Sequence, residues 1–130
     1  MPADPPLVRV LSTSFPDALE RVPAALKTEG FGVLTSIDVK ATLKARIDAD
    51  IPPYTILGAC NPRMAHQALS IDPTVGVGLP CNVIVRDLGE DRVEVRAVDP
   101  VQTIAVGGRE NLTDVARQVR EMLARVLAAL

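Results

Sequence analysis

The chain has 130 residues, of which 48% are hydrophobic and 23% are charged, and 14 Lys and Arg stand against 16 Asp and Glu. This length and composition exclude a disordered or fibrous chain and indicate one domain with its own core. The interspersed, nearly balanced charge and the presence of only three aromatic residues argue against a nucleic-acid partner.

The two ends of the chain predict neither export nor membrane insertion. Residues 1–6 hold three of the eleven prolines and are expected to form a poorly ordered lead-in, so the domain is predicted to span residues 7–130. The lead-in lacks the basic and apolar regions of a signal peptide. The apolar C-terminal run is interrupted by Arg125 and is too short to span a bilayer. With two cysteines and no export signal, we expect a cytoplasmic protein.

The first predicted unit is a strand followed by a helix. Alternating apolar residues predict a strand at 7–11. Ser14 is expected to cap the helix, with Asp17 completing a capping box, and the helix is expected to end at Gly30. Its apolar face consists of Ala18, Leu19, Val22, Ala25 and Leu26. Because Pro23 lies inside this pattern, we expect a kink or a late helix start.

A second strand is predicted at residues 31–39, where β-branched residues are frequent. Asp38 is expected to cap a short helix that buries Leu43 and Ile47. Two consecutive prolines at 52 and 53 are expected to end that helix.

The most specific local signal follows a third predicted strand at residues 54–60. Asn61 and Pro62 form the pair typical of a helix cap and first turn, which predicts a helix through about Leu69. Residues 71–80 are rich in Pro and Gly and predict a loop without a helix.

The rest of the chain predicts a hairpin and a long helix. Strands are predicted at 81–88 and 92–98, with one solvated face. Residues 112–130 keep helical apolar spacing, and Asn111 and Asp114 are expected to start that helix. The order β-α-β-α-β-α-β-β-α predicts an α+β fold, a single two-layer domain with helices packed on a mixed or antiparallel sheet.

Cys60 is the first candidate functional residue. It directly precedes Asn61 and Pro62, so its thiol is expected beside a helix N-terminus, where unpaired N–H groups favour a thiolate. A thiolate could act as a nucleophile, a redox group or a soft-metal ligand. The alternative is that Cys60 is a small buried apolar residue at a strand end.

Cys81 lies 21 positions later, and its distance from Cys60 depends on the strand directions. If the strands at 54–60 and 81–88 are antiparallel, both thiols lie at one end of the sheet, whereas a parallel crossover would place them at opposite ends. Only the antiparallel arrangement supports a site with two thiols.

The positions of residues in the sequence leave three further kinds of site as alternatives. His66 could join Cys60 and Cys81 as a soft-metal ligand, although the short ligand spacings of zinc sites are absent. His66 could instead serve as the base for a nucleophilic Cys60 in an enzyme. Gly107 and Gly108, before the last helix, could bind an anion.

Several of these motifs together resemble a known family. The segments TILGACNP at 55–62, LPCNVIV at 79–85 and EGFGVL at 29–34, with Asp99-Pro100, resemble small prokaryotic proteins of the DUF302 type over residues 7–130. The resemblance implies a compact α+β domain that often forms dimers. It also implies a shared pocket at Cys60, Asn61, Pro62, Pro80, Cys81 and Asp99, with no particular activity or cofactor.

Two functional hypotheses follow. In the first, Cys60 and Cys81 form the centre of a module that binds a small ligand, a sulfur species or a soft metal, or that acts in redox chemistry. In the second, the protein is a structural or interaction homodimer whose contact uses the apolar face of residues 112–130, and the cysteines only pack. Whether the protein is an enzyme stays open.

Overall fold

The computed structural model describes residues 4–105 and 110–130. Within these residues, five strands and four helices follow one another in the predicted order, and a 3-10 helix and one short α-helix are added to them. The strands are β1 Val8–Leu11, β2 Gly32–Asp38, β3 Tyr54–Cys60, β4 Cys81–Gly89 and β5 Arg92–Ala97. The helices are α1 Phe15–Thr28, α2 Val39–Ile47, α3 Pro62–Ile71, α4 Pro100–Thr103 and α5 Glu110–Ala128, and a 3-10 helix spans Pro73–Gly78.

The sheet has the order β1-β5-β4-β3-β2, and every neighbouring pair is antiparallel. The α+β prediction is therefore confirmed, and of the two predicted sheet types the antiparallel one is present. The predicted hairpin is the pair β4 and β5, with Glu90 and Asp91 in its turn at φ of 56° and 55°.

One face of the sheet carries the core. Alternate residues of β4 are buried, namely Cys81, Val83 and Val85. This pattern is expected for a strand with one solvated face, because successive side chains point to opposite faces of the sheet. Buried residues of α1, α3 and α5 belong to the same cluster. Helices and sheet therefore form the two predicted layers.

The opposite face of the sheet is less covered. One row of directly paired residues crosses it from edge to edge: Val8, Arg96, Ile84, Ile56 and Ile37. Each of these side chains is half-buried or exposed. We call this surface, defined by that row, the open face.

The C-terminal helix α5 uses its apolar face inside the molecule. Leu112, Val115, Val119, Leu123 and Val126 are each at most 5% exposed. This helix was the surface predicted to form a dimer contact. Because the same side chains pack in the core of one chain, that part of the prediction is wrong.

Helix α1 begins at Phe15, directly after the predicted cap, so the expected late start does not occur. The Ser14 hydroxyl accepts a hydrogen bond from the Asp17 amide at 3.2 Å. The Asp17 carboxylate accepts from the Thr13 hydroxyl. Pro23 lies inside the helix and is half-buried. The helix tolerates this proline because Ala18, Val22 and Leu26 are fully buried along its face.

Helix α2 is capped by Asp38 as predicted, but it buries no residue. Leu43 is only half-buried and Ile47 is 69% exposed, so the predicted buried face is wrong. The helix interrupts the β2–β3 hairpin and packs against those two strands rather than within the helical layer.

Two Asp-Pro pairs start short helices that were not predicted from the sequence. The Asp72 carboxylate accepts from the Thr74 amide at 2.9 Å and begins the 3-10 helix. The Asp99 carboxylate accepts from the Val101 amide at 3.0 Å and begins α4. The prediction of no helix at 71–80 is wrong because an Asx cap followed by proline suffices to form a single turn.

Gly58 is expected to tolerate no side chain. A Cβ placed on it would lie 2.1 Å from Thr35 Oγ1 and 2.9 Å from Pro80 Cγ. We expect Gly58→Ala to lower the free energy of unfolding by about 1–3 kcal/mol, the usual effect of overpacking. Gly32→Ala on the neighbouring strand is the matched control, because a Cβ there meets nothing within 4 Å. Urea unfolding measures the free energy of unfolding of both variants. Equal losses in Gly58→Ala and Gly32→Ala would contradict this account.

Glu94 is expected to make stability depend on pH. Its carboxylate accepts hydrogen bonds from Arg86 and Arg96 on the open face. Burial by itself would raise the pKa of Glu94, but the two guanidinium groups outweigh burial and hold this pKa below its ordinary value. Because the folded pKa is the lower one, the stabilisation is complete above the unfolded value near 4.5 and is lost as pH falls through the folded value.

We therefore expect Glu94→Gln to lose less stability than the parent when acidified below about pH 4.5. Urea unfolding at a series of pH values measures this effect. Glu20→Gln, at an exposed position of α1, is the matched control and should keep the parental pH dependence. A parental acid profile in Glu94→Gln would show that this carboxylate is not the source.

Candidate functional site

Cys60 and Cys81 lie at the same end of the sheet. Cys60 is the last residue of β3 and Cys81 the first of β4. The two strands are antiparallel, and Ala59 pairs directly with Cys81. The arrangement that supports a site with two thiols is therefore the one present. Both cysteines are free; Cys60 is half-buried and Cys81 is 4% exposed.

Asn61 fixes the point where β3 passes into α3. Its Oδ1 accepts a hydrogen bond from the Met64 amide at 3.3 Å, so the predicted cap is confirmed. Its Nδ2 donates to the Glu29 carbonyl at 3.2 Å and lies 3.7 Å from the Met122 sulfur. One side chain thus joins the ends of α1 and α3 to α5, and it holds Cys60 beside the α3 N-terminus.

A narrow cavity of about 20 Å³ lies against both cysteines and Asn61. This volume holds about one water molecule. The rest of its lining is almost entirely apolar and includes Phe31, Met64, Ala68, Leu79, Ile104 and Val119. The two thiols therefore border a small space with few polar groups.

Burial and the neighbouring thiol act together on Cys81. Burial raises the pKa of the Cys81 thiol, and the charge of a Cys60 thiolate raises it further, to about 11. The second cause requires the two sulfurs to be close enough to repel each other as anions. Cys81 is consequently a neutral thiol across the physiological pH range.

The other residues predicted for this pocket lie around it rather than in it. Pro62 is exposed at the first position of α3, and Pro80 is half-buried beside Gly58. Asp99 caps α4, and its Oδ2 lies 3.8 Å from Arg120 Nε. These three residues shape the backbone near the site and do not line the cavity.

His66 is not brought to the thiols. It is exposed on α3, whereas Met64 and Ala68 of the same helix face the cavity. Within residues 4–105 and 110–130, no group of three or more His, Cys, Asp or Glu side chains is placed to hold a metal ion. The predicted anion site at Gly107 and Gly108 lies outside the described residues.

Sequence reasoning missed most of the cavity lining. Phe31, Leu79 and Ile104 come from three separate connections, and nothing in their local pattern distinguishes them from other apolar residues. The spacing of Met64 and Ala68, four residues apart on α3, is the one signal from which a shared face of that helix could have been predicted.

In the parts of the chain for which the structure gives positions, no helix combines the length and apolar character needed to cross a bilayer.

Comparison with known proteins agrees with this fold. The family described as domain of unknown function DUF302 matches residues 8–130. The chain belongs to the DUF302 family. The crystal structure of an uncharacterized conserved DUF302 protein from Bacillus stearothermophilus is similar to it, with a TM-score of 0.84 and 28% sequence identity. The match covers 94% of this chain and 96% of that one. No curated protein matches the chain.

The family assignment confirms the resemblance inferred from the cysteine motifs. The family description names no activity, and a fold by itself does not determine function.

Proposed function

We propose that this DUF302 protein is a thiol–disulfide redox module in which Cys60 and Cys81 form a two-electron pair. The observation that carries the proposal is the register of β3 and β4, which puts Cys81 opposite Ala59 and next to Cys60. Directly paired residues on antiparallel strands, here Ala59 and Cys81, have Cα atoms about 4.5–5.5 Å apart. Both cysteines line the same narrow cavity. Cys60 is one position further, where the chain leaves the strand.

The two thiols differ in a way that assigns their roles. Cys60 is half-buried just before the α3 N-terminus and is the more accessible of the two thiols. Cys81 is buried and has a raised pKa. Cys60 is therefore the attacking sulfur and Cys81 the resolving one.

The proposed reaction is exchange with an external disulfide. The Cys60 thiolate attacks one sulfur of the external disulfide, forming a mixed disulfide and releasing one thiolate. Cys81 then attacks the Cys60 sulfur, breaks the mixed disulfide and passes its proton to the second leaving thiolate. Overall, the two protein thiols are oxidised to a disulfide, and the external disulfide is reduced to two thiols.

The other ligands predicted from the sequence have less support. Small-molecule sites usually measure about 300–1,000 Å³. The cavity at the cysteines measures about 20 Å³. A soft metal would need more donors than the two thiols, and His66 points elsewhere in the fold.

The test is a redox titration of the intact protein in glutathione buffers, followed by alkylation and non-reducing peptide mapping. We expect one two-electron transition, in which the ratio of oxidised to reduced protein changes tenfold for each step of about 30 mV in the potential of the buffer. Peptide mapping should show a Cys60–Cys81 cross-linked peptide. Cys60→Ser should abolish the transition. Free thiols at every buffer ratio, or only glutathione adducts and intermolecular disulfides, would overturn the proposal.

The open face favours a second candidate function, a homodimer. Ile37, Ile56 and Ile84 pair in one row across three strands, and Ile37 is 47% exposed. A second copy could pack its own open face on this row, as sheets stack face to face. This surface replaces the α5 face from which a dimer was predicted.

Sedimentation across micromolar concentrations tests the dimer. We expect the parent to sediment as a dimer and Ile84→Lys as a monomer. Val77→Lys is the matched control, because Val77 is 97% exposed on the distant 3-10 helix, and it should stay dimeric. A monomeric parent would overturn this candidate without affecting the thiol pair.

A further inference from the structure

A larger groove is separate from the cavity at the cysteines. It measures about 510 Å³ and runs between residues 4–9 and one side of α5. It shares no lining residue with the cavity at Cys60 and Cys81. Its volume falls within the usual range of small-molecule sites.

The floor of the groove is apolar. Leu7, directly before β1, and Val8 of β1 line the groove on one side. Ala124 and Leu127 of α5 line it on the other side. Pro5 and Pro6 line the same groove. Aliphatic surface without a dense set of polar groups suits a hydrocarbon segment of a ligand.

Three guanidinium groups line the same groove against two carboxylates, those of Asp4 and Glu121. Arg9 donates through Nη1 to the carbonyls of Leu127 and Ala128, at 2.7 and 3.2 Å. Arg117 is 58% exposed, and its Nη1 lies 3.6 Å from Asp4 Oδ2. The balance of charge at the groove is positive.

Arg120 is a buried guanidinium group whose hydrogen bonds are incomplete. The residue is 9% exposed, and its Nη1 is buried without a hydrogen-bond partner among the residues that the structure describes. Its Nε lies 3.5 Å from Asp4 Oδ2 and 3.8 Å from Asp99 Oδ2, and its Nη2 donates to the Pro5 carbonyl. A buried charged donor without an acceptor is unfavourable, so an additional acceptor would stabilise this arrangement.

We propose that the groove binds a free aliphatic carboxylate. The chain of the ligand lies on Leu7, Ala124 and Leu127, and its carboxylate is held by Arg117 and Arg120. Asp4 already places a carboxylate oxygen within 3.6 Å of both of these arginines. The ligand carboxylate therefore competes with Asp4 for the same guanidinium groups.

The test is calorimetric titration of the intact protein with decanoate, with decanol as the uncharged probe of the same chain length and butyrate as the short anion. We expect saturable binding of one decanoate, at least tenfold weaker binding of decanol, and no binding of butyrate at the same concentrations. Equal affinity for decanoate and decanol, or no saturable binding of decanoate, would overturn the proposal. The second result is the one expected if a peptide or a second copy occupies the groove.

Variants make the test specific for the charged residues. Arg117→Gln should weaken decanoate binding about tenfold, the effect of losing one charge-assisted contact. Arg46→Gln removes the same charge from exposed α2 and should leave affinity unchanged. Asp4→Asn should bind decanoate more tightly, because the competing carboxylate is removed. Equal effects of Arg117→Gln and Arg46→Gln, or weaker binding by Asp4→Asn, would contradict the proposal.

Discussion

The Cys81→Ser variant is expected to accumulate as a mixed disulfide with glutathione at Cys60, whereas Cys60→Ser is expected to stay unmodified. Without Cys81, nothing resolves the bond between Cys60 and glutathione. Without Cys60, the remaining thiol is 4% exposed, and burial by itself still raises the pKa of Cys81. A buried thiol with a raised pKa reacts slowly with disulfides, because the thiolate is the reacting form. Intact mass after oxidised glutathione is added gives the adduct fraction of each variant.

The control is the double variant Cys60→Ser/Cys81→Ser, which reports any glutathione that binds at sites other than the two cysteines. Because serine at a buried site could disturb packing, Cys81→Ala should be measured beside Cys81→Ser and should trap the same adduct. Equal adduct formation in Cys60→Ser and Cys81→Ser would contradict the assigned roles of the two sulfurs.

Leu26→Ala should lower the free energy of unfolding by about 2–5 kcal/mol, the usual range for a large-to-small change in a core. Leu26 is fully buried on α1 and belongs to the cluster shared by the sheet and α5. Leu34→Ala is the matched control, because Leu34 on β2 is 67% exposed. Urea unfolding should show a shifted midpoint with an unchanged denaturant slope for Leu26→Ala and little change for Leu34→Ala.

A loss below about 1 kcal/mol at Leu26, or a comparable loss at Leu34, would contradict the packing of α1 on the sheet. The comparison is informative because both variants remove the same atoms, one set from a buried site and the other from an exposed site.

Local signals in the sequence predicted most of the fold. Ser14, Asp38 and Asn61 cap α1, α2 and α3, where short polar side chains satisfy the first amides of a helix. Alternation in β4 and β5 predicted a hairpin with one solvated face. These features depend on neighbours within a few positions, so tertiary structure is not needed to infer them.

The wrong predictions concern burial and short turns. The spacing of Leu43 and Ile47 indicated a buried face, but α2 lies at the end of a hairpin, where little of the molecule is available to cover it. The face of α5 indicated a dimer contact, yet the core of the same chain covers it. A sequence pattern gives the face of a helix, and tertiary structure decides what covers it.

The candidate site depends on long-range pairing that the sequence left open. Cys60 and Cys81 are separated by α3 and the 3-10 helix, and a connection of that kind serves either a parallel or an antiparallel partner. The register of β3 and β4 decides between the two. The cavity lining and the position of His66 follow from the same pairing, and for that reason they could not be inferred from spacing.

The central claim is that Cys60 and Cys81 act as one two-electron site. Native mass spectrometry of protein purified without added metal or strong reductant tests this claim most directly. After oxidised glutathione is added, the account predicts a subunit that is lighter by two hydrogens and carries no adduct, and reductant should restore its mass. A subunit that keeps its reduced mass, or that carries only stable glutathione adducts, would contradict it.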